Sequence, residues 1–433
     1  MATLPPALAA FYLGDTRRDL RRRWHRLGRG RRRKVVFVHQ VDDPYSLLLA
    51  QVLPPLLAAA DAELEVLTIR GPKPEFAPDL ERLRHWALRD AGGLAAQYGL
   101  DYPSEATLPD PEQVERAQAA SLTIAGPAAT RLAGLAALGV QLLSGAEIDG
   151  MPSHGVSHEL ERNAKRLAKL DHYQAGMLYY EGEWYWGLDR LELLGDRLRA
   201  EGLAIPPLLD PEARPRVVEG RLWGCALPSG PKAEDTPVEL FYSLRSPYAY
   251  LSLARTRAIA KRHRVPLRIR VVMPMVKRGL AVPRSKRMYI ATDAKRLADR
   301  LEIPFGRVHD PLGAIERGLA VAYYAANEGR LGSWLESFGA GVWAEGVNVG
   351  RDDNLKRLAK RADLDPERAI ESLKRSKNWQ AEAELNRQAL LELGLWGVPS
   401  LRYGELTIWG QDRLDVLDVA LESIARTSAP ESA

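Results

Sequence analysis

Residues 243–250 read SLRSPYAY, where Ser246 follows an apolar run and Pro247 opens an amphipathic one. A hydroxyl at a strand-to-helix junction lies near free backbone N–H groups and the positive end of a helix dipole. Taken alone it reads as an N-cap. The same surroundings favour an anion, so a bound thiol placed there would be held as thiolate. Free thiols ionise near pH ~8.5, and lowering that by about one or two makes the sulfur mostly anionic at neutral pH. Residues 40–47, QVDDPYSL, repeat the junction with Asp43 where the hydroxyl stood. A carboxylate caps a helix as well, but it repels a thiolate at close range.

Other reactive side chains offer less. Cys225 is the only cysteine, which excludes an intrachain disulfide and any Cys-x-x-Cys pair. It sits in LWGCALPSG with no helix start or basic neighbour to activate it. His154 and His158 stand four apart, the spacing of two metal ligands on one helix face. The GVS between them and Pro152 before them argue against a stable helix, and no third ligand is evident, so no metal is expected. Tyr323, Tyr324, Trp334, Trp343 and Trp379 suit a core better than a cleft. GVNVG at 346–350 is no phosphate loop, and there is no Rossmann or P-loop fingerprint.

The elements that must position Ser246 occur twice. VVFVHQVDDPYSLLLAQVLPPLLAA at 35–59 parallels VELFYSLRSPYAYLSLARTRAIA at 238–260, and MLYYEGEWYWGLDRLELL at 177–194 parallels SLRYGELTIWGQDRLDVL at 400–417. The same opening and closing motifs in the same order indicate a domain-scale tandem duplication. Each half runs strand, helix, strand, a long helical stretch, two short strands and a last helix. That is an α/β plan of two thioredoxin-like domains, each with an inserted α-helical subdomain. Asp310-Pro311 and Asp365-Pro366 mark helix starts within the second insertion. The expected divisions are a basic N-terminal arm (1–34), a degenerate domain (35–204), a Pro/Gly-rich linker (205–237), a second domain (238–425) and a tail (426–433).

With 433 residues, 46% hydrophobic and 27% charged, the chain can bury two cores. No run approaches the roughly 18–20 apolar residues of a membrane span. The N-terminal apolar stretch precedes the basic one, the reverse of a secretory signal, so the expected location is cytoplasmic. Residues 17–34 hold eleven bases and one acid, +10, which leaves −5 for the rest against an overall +5. Such a segment suits RNA, anionic lipid or an acidic protein face, but it reads first as a solvated basic leader helix. No aromatic or Gly pattern of an RNA-binding module accompanies it, so nucleic acid is not expected as a partner.

The second half resembles 2-hydroxychromene-2-carboxylate isomerases and kappa-class glutathione transferases, within the wider DsbA-like thioredoxin group. The residues that carry the resemblance are FYSLRSPYAYL at 241–251, VPRSKRMYI at 282–290, GLWGVPSL at 394–401 and WGQDRLDVL at 409–417. It implies glutathione as cofactor, with its thiolate at Ser246. It further implies a cis bond at Pro399 that presents the Val398 backbone to the cysteinyl part, Lys286 at the glycyl carboxylate, and Gln411 and Asp412 at the γ-glutamyl end. Disulfide exchange is excluded, because Ser246-Pro247-Tyr248-Ala249 has no sulfur of its own. The expected activity is a glutathione-dependent isomerisation of a small electrophilic substrate. The alternatives are conjugation or peroxide reduction by a kappa-like transferase, and a non-catalytic scaffold.

One departure bears on the reaction. The family's Gly-Asn-x-Pro before the VP segment is replaced by KRGLAVP, with Lys277 or Arg278 in the Asn's neighbourhood. The first half keeps neither Ser nor Pro, having Asp43 and Gly176 instead. It is expected to be a degenerate copy kept for packing, so that the expected assembly is an intramolecular pseudo-dimer like the family's homodimers, or a homodimer.

Overall fold

The computed structural model describes residues 5–28, 32–149, 154–228, 235–280, 282–375 and 378–427. The chain divides into two compact units, Asp19–Arg216 and Met1–Arg18 with Val217–Ala433. Two helices open it, α1 (Pro6–Leu13) and α2 (Asp15–Gly28).

In the Asp19–Arg216 unit, β1 (Arg33–His39) leads through α3 (Pro44–Ala60) to β2 (Ala62–Thr68), which pairs parallel with β1 from Arg33↔Ala62 to His39↔Thr68. Four helices follow: α4 (Leu80–Tyr98), α5 (Pro111–Thr123), α6 (Ala128–Leu143) and α7 (His154–Lys169). The chain returns as β3 (Met177–Tyr180), antiparallel to β1, then β4 (Glu183–Trp186) and α8 (Leu191–Ala200). The sheet order is β2-β1-β3-β4.

A short hairpin, β5 (Arg221–Leu222) with β6 (Cys225–Ala226), precedes the second sheet. There β7 (Val238–Tyr242) leads through α9 (Pro247–Arg262) to β8 (Leu267–Val271), parallel to β7. Helices α10 (Arg284–Arg300), α11 (Ile315–Asn327), α12 (Leu331–Trp343), α13 (Asp352–Arg361), α14 (Pro366–Arg375) and α15 (Asn378–Glu392) come next. Then β9 (Ser400–Tyr403) pairs antiparallel with β7, β10 (Leu406–Trp409) with β9, and α16 (Leu414–Thr427) closes the unit. Its order, β8-β7-β9-β10, is that of the first sheet. Every residue of β7 is buried, as a central strand covered on both faces requires.

Three regions differ from the sequence expectation. Residues 1–34 are no solvated arm where they are described. Helix α1 buries Ala9 and Leu13 in the core of the second unit. On α2, Arg22 forks onto the buried Glu183 at 2.8 and 3.0 Å. Glu201 lies within 4.0 Å of Arg26, Arg33 and Arg197. The basic run answers buried acids whose burial no local pattern reveals, and residues 1–4 and 29–31 of it lie outside the described residues.

Helix α7 does form from His154, against the expectation raised by Pro152 and Gly155. Gly155 costs about 1 kcal/mol at such a site. Burial of Leu160, Asn163 and Leu167 one turn apart outweighs it. The His154 side chain lies outside the described residues.

The linker carries the β5–β6 hairpin, with Leu222 and Cys225 buried in the second core, while residues 229–234 are outside the described set. The expected tail is helical through Thr427, and residues 428–433 are likewise outside. Among the described residues no helix is long and apolar enough to cross a membrane.

Candidate functional site

At the end of β7 the chain turns so that Ser246 N donates to Ser243 O at 3.0 Å, and Ser246 takes extended dihedrals (φ −97°, ψ 116°). This is the N-cap position of α9, with Pro247 preset at the first helical residue. The Ala249 N–H donates to Ser246 Oγ at 3.1 Å. With Oγ already accepting there, its own proton points to Val398 O, 3.3 Å away.

The Val398 carbonyl comes from the turn before β9, where the Val398–Pro399 bond is cis. That turn is fixed on both sides. Ser400 Oγ donates to Gly397 O at 2.9 Å, and Gly410 N donates to Pro399 O at 2.9 Å. Gly397 has no room for a side chain, since a Cβ there would lie 2.4 Å from the Trp409 ring.

Ser246 and Val398 stand on the wall of a cavity of about 300 Å³, with Lys286 and the indoles of Trp343, Trp396 and Trp409. Burial pushes the Lys286 ammonium down to about 8, and its Nζ lies 5.9 Å from the Trp396 ring. Three buried donors on the wall, Ser243 Oγ, Trp343 Nε1 and Trp396 Nε1, have no hydrogen-bond partner among the described residues. Arg245 forks onto Asp310 at 2.8 Å through both nitrogens. Burial would raise the Asp310 carboxyl, but that fork and the Leu312 N–H hold it below its ordinary range. The chamber is apolar, with cations and hydrogen-bond donors on its wall. It can seat an anionic group beside the Ser246 hydroxyl and the first turn of α9.

The expected site residues separate into two groups. Ser246, Lys286 and Val398 meet at the cavity; Pro399, Gln411 and Asp412 do not line it. Gln411 is 3% exposed, and its Oε1 accepts from Arg255 Nη1 at 2.6 Å while its Nε2 meets Asp412 Oδ1. Neither candidate for the missing Asn reaches the chamber. Lys277 pairs with Glu316 at 2.9 Å, and Arg278 donates to Trp396 O at 3.4 Å.

Of the aromatics assigned to the core, Trp334 is fully buried there, but Trp343 lines the cavity. It stands at the last residue of α12, where a helix ends against the chamber. Ser243 and Trp396 escaped sequence reasoning although both lie inside motifs that drew attention. Their adjacency to Ser246 and Val398 was the signal.

The matching junction in the first unit is closed. Asp43 caps α3, and its Oδ2 accepts from Ser46 N at 2.9 Å and from Ser46 Oγ at 2.7 Å. Ser46 Oγ accepts in turn from Gly176 N at 3.1 Å. A Cβ on Gly176 (φ +65°) would lie 2.9 Å from Asp43 Oδ2. Burial pushes the Asp43 carboxyl up to about 6, against the Ser46 bonds that favour its charged form. Among the described residues no group of three or more His, Cys, Asp or Glu could hold a metal ion.

Residues 237–422 match the family model of the DsbA-like thioredoxin domain. The chain is 22% identical over 201 residues to a 2-hydroxychromene-2-carboxylate isomerase of Pseudomonas putida, covering 44% of this chain and 97% of that enzyme. It is 23% identical over 191 residues to a 2-hydroxychromene-2-carboxylate isomerase of Sphingobium xenophagum, covering 42% of this chain and 95% of that one. A solved 2-hydroxychromene-2-carboxylate isomerase structure aligns with 46% of this chain and 100% of its own, at 22% identity and a TM-score of 0.39. The C-terminal half of the chain is thus a DsbA-like thioredoxin domain, distantly related to isomerases of this kind.

Proposed function

We propose that the C-terminal unit is a glutathione-dependent enzyme that isomerises a small conjugated electrophile. One observation carries the reading: Ser246 Oγ caps α9 and faces Val398 O on the wall of an apolar chamber, and the protein has no thiol there. The residues present fit such a tripeptide, because Lys286, the Ser246 hydroxyl and the Val398 backbone stand together on one apolar wall. Bound glutathione would supply the nucleophilic sulfur that adds to a conjugated carbon and leaves again once a bond has rotated.

The protein's own residues do the rest. Ser246 turns its proton from Val398 O towards the anion, with the α9 dipole behind it. The Val398 backbone would hold the cysteinyl part, and Lys286 would meet the glycyl carboxylate. Gln411 and Asp412 stand off the chamber wall, bonded to Arg255 and to each other, and are given no ligand contact. The three indoles exclude water.

A second reading, kappa-like conjugation or peroxide reduction, is favoured by one feature. Lys277 and Arg278 are both engaged away from the chamber, so neither stands in for the family's Asn. Turnover with glutathione and, in parallel, chromene carboxylates, aryl halides and hydroperoxides separates the two. Isomerisation without net consumption of glutathione is the expected result. Consumption with the halides or peroxides would replace it with the second reading, and no turnover of any class would leave a scaffold.

The N-terminal unit we infer to be a degenerate duplicate. Its sheet has the same strand order, and at the Asp43 junction the hydroxyl of Ser46 satisfies the cap.

A further inference from the structure

Of the eight large apolar side chains left exposed among the described residues, five lie between Leu8 and Leu27. Three share one face of α2: Leu20 (56% exposed), Trp24 (76%) and Leu27 (86%), at i, i+4 and i+7. Arg18, Arg22 and His25 have the same spacing on the opposite face. That face is the one engaged: Arg22 forks onto Glu183 and His25 rests against Gly182, while Arg18 pairs at 2.5 Å with Asp15 of the helix itself. The helix is therefore docked by its cations and presents its apolar stripe outward, the reverse of an ordinary surface helix.

Two arginines border the stripe. Arg17 and Arg23 lie three residues before and after Leu20, one on each margin, and neither has a carboxylate partner among the described residues. Arg17 stacks over the Tyr12 ring at 3.6 Å, while Arg23 is exposed. Arg32 and Lys34, just beyond the helix, are exposed as well. Two copies pairing through this face would bring four guanidinium groups to one seam, which disfavours self-association. An apolar stripe with an exposed Trp and a cation on each margin is the arrangement of a helix lying in a lipid interface, its arginines reaching phosphates.

We infer that α2 docks the protein on an anionic lipid surface through Leu20, Trp24 and Leu27, with Arg17 and Arg23 on the headgroups. The test is sedimentation of the full chain with vesicles of phosphatidylcholine alone and of phosphatidylcholine with about one-third phosphatidylglycerol. Wild type is expected to sediment with the anionic vesicles, to release at high salt, and to ignore the neutral ones. Arg23→Gln is expected to weaken binding roughly fivefold. Leu20→Ser/Leu27→Ser is expected to abolish it, and both variants change only exposed residues, so the fold stays intact.

Several results overturn the inference. One is wild type that does not sediment with anionic vesicles at low salt. Another is a double variant that sediments like wild type, which marks simple polyanion attraction shared with RNA. Capture on immobilised poly-glutamate that needs Leu20 and Leu27, without vesicle binding, points to an acidic protein groove. A dimer that the double variant dissolves points to a second copy.

Discussion

Ser246 and Asp43 occupy one structural position and differ in what each leaves for a ligand. Asp43 spends its carboxylate on Ser46, whose own hydroxyl is taken by Gly176. Ser246 keeps a rotatable proton whose partner among the described residues is a carbonyl on the chamber wall. Ser246→Ala should lower turnover by roughly 10²–10³, as loss of one donor to a developing anion does in other enzymes. Steady-state kinetics at saturating glutathione checks it.

Lys286 gives a second prediction at this scale. Its ammonium ionises near 8 in the free protein, so the positive charge is fully present below that pH and is lost above it. Binding of S-methylglutathione, which has no thiol to titrate, should weaken several-fold between about pH 7 and 9. Lys286→Gln should bind weakly throughout and lose that limb, as calorimetry would read directly.

At the scale of elements, the strand–helix–strand opening, the insertion and the closing hairpin were legible because each leaves a local pattern. β7 is apolar but for Glu239, and Ser246-Pro247 and Asp365-Pro366 announce helix starts. The chamber was only half legible. The motifs pointed at Ser246, Lys286 and Val398, but which indoles form its wall depends on bringing the end of α12 and the loop before β9, far apart in the chain, to one cavity. Gln411 was legible as a residue of interest and not as one buried under Arg255. The polarity of α2 was hidden for the same reason, since Glu183 alternates along β4 like any surface residue.

Two element-level tests follow from these contacts. Gly397→Ala forces the Trp409 ring aside and should cost about 1–3 kcal/mol in denaturant unfolding. Arg22→Ala leaves Glu183 buried with Arg21, Arg197 and Tyr185 among its remaining partners, and should cost about 1–3 kcal/mol. A value near zero for either would mean that the contact is not made in solution.

For the whole molecule, two strand-to-helix junctions have opposite fates, and pH separates them. The Asp43 carboxyl ionises at about 6 in the folded unit against an ordinary value of 3.8, so the folded state binds more protons between those values. Its contribution is therefore greatest below about pH 4 and declines as pH rises to about 6. Asp43→Asn should flatten that decline in the unfolding transition of the Asp19–Arg216 unit and leave the other unit's transition unchanged. The repeated motifs were visible in the sequence, whereas the closing of the first junction rests on Ser46, a residue that no motif singled out.

The central claim is that the C-terminal unit makes a borrowed sulfur anionic beside Ser246. Its most direct test is the ultraviolet titration of glutathione bound to wild type and to Ser246→Ala. The account predicts a thiol that ionises near pH ~7 on wild type and returns towards the free value of about 8.5 on the variant. A bound thiol that ionises at its free value on wild type, or equally low on both proteins, would contradict it.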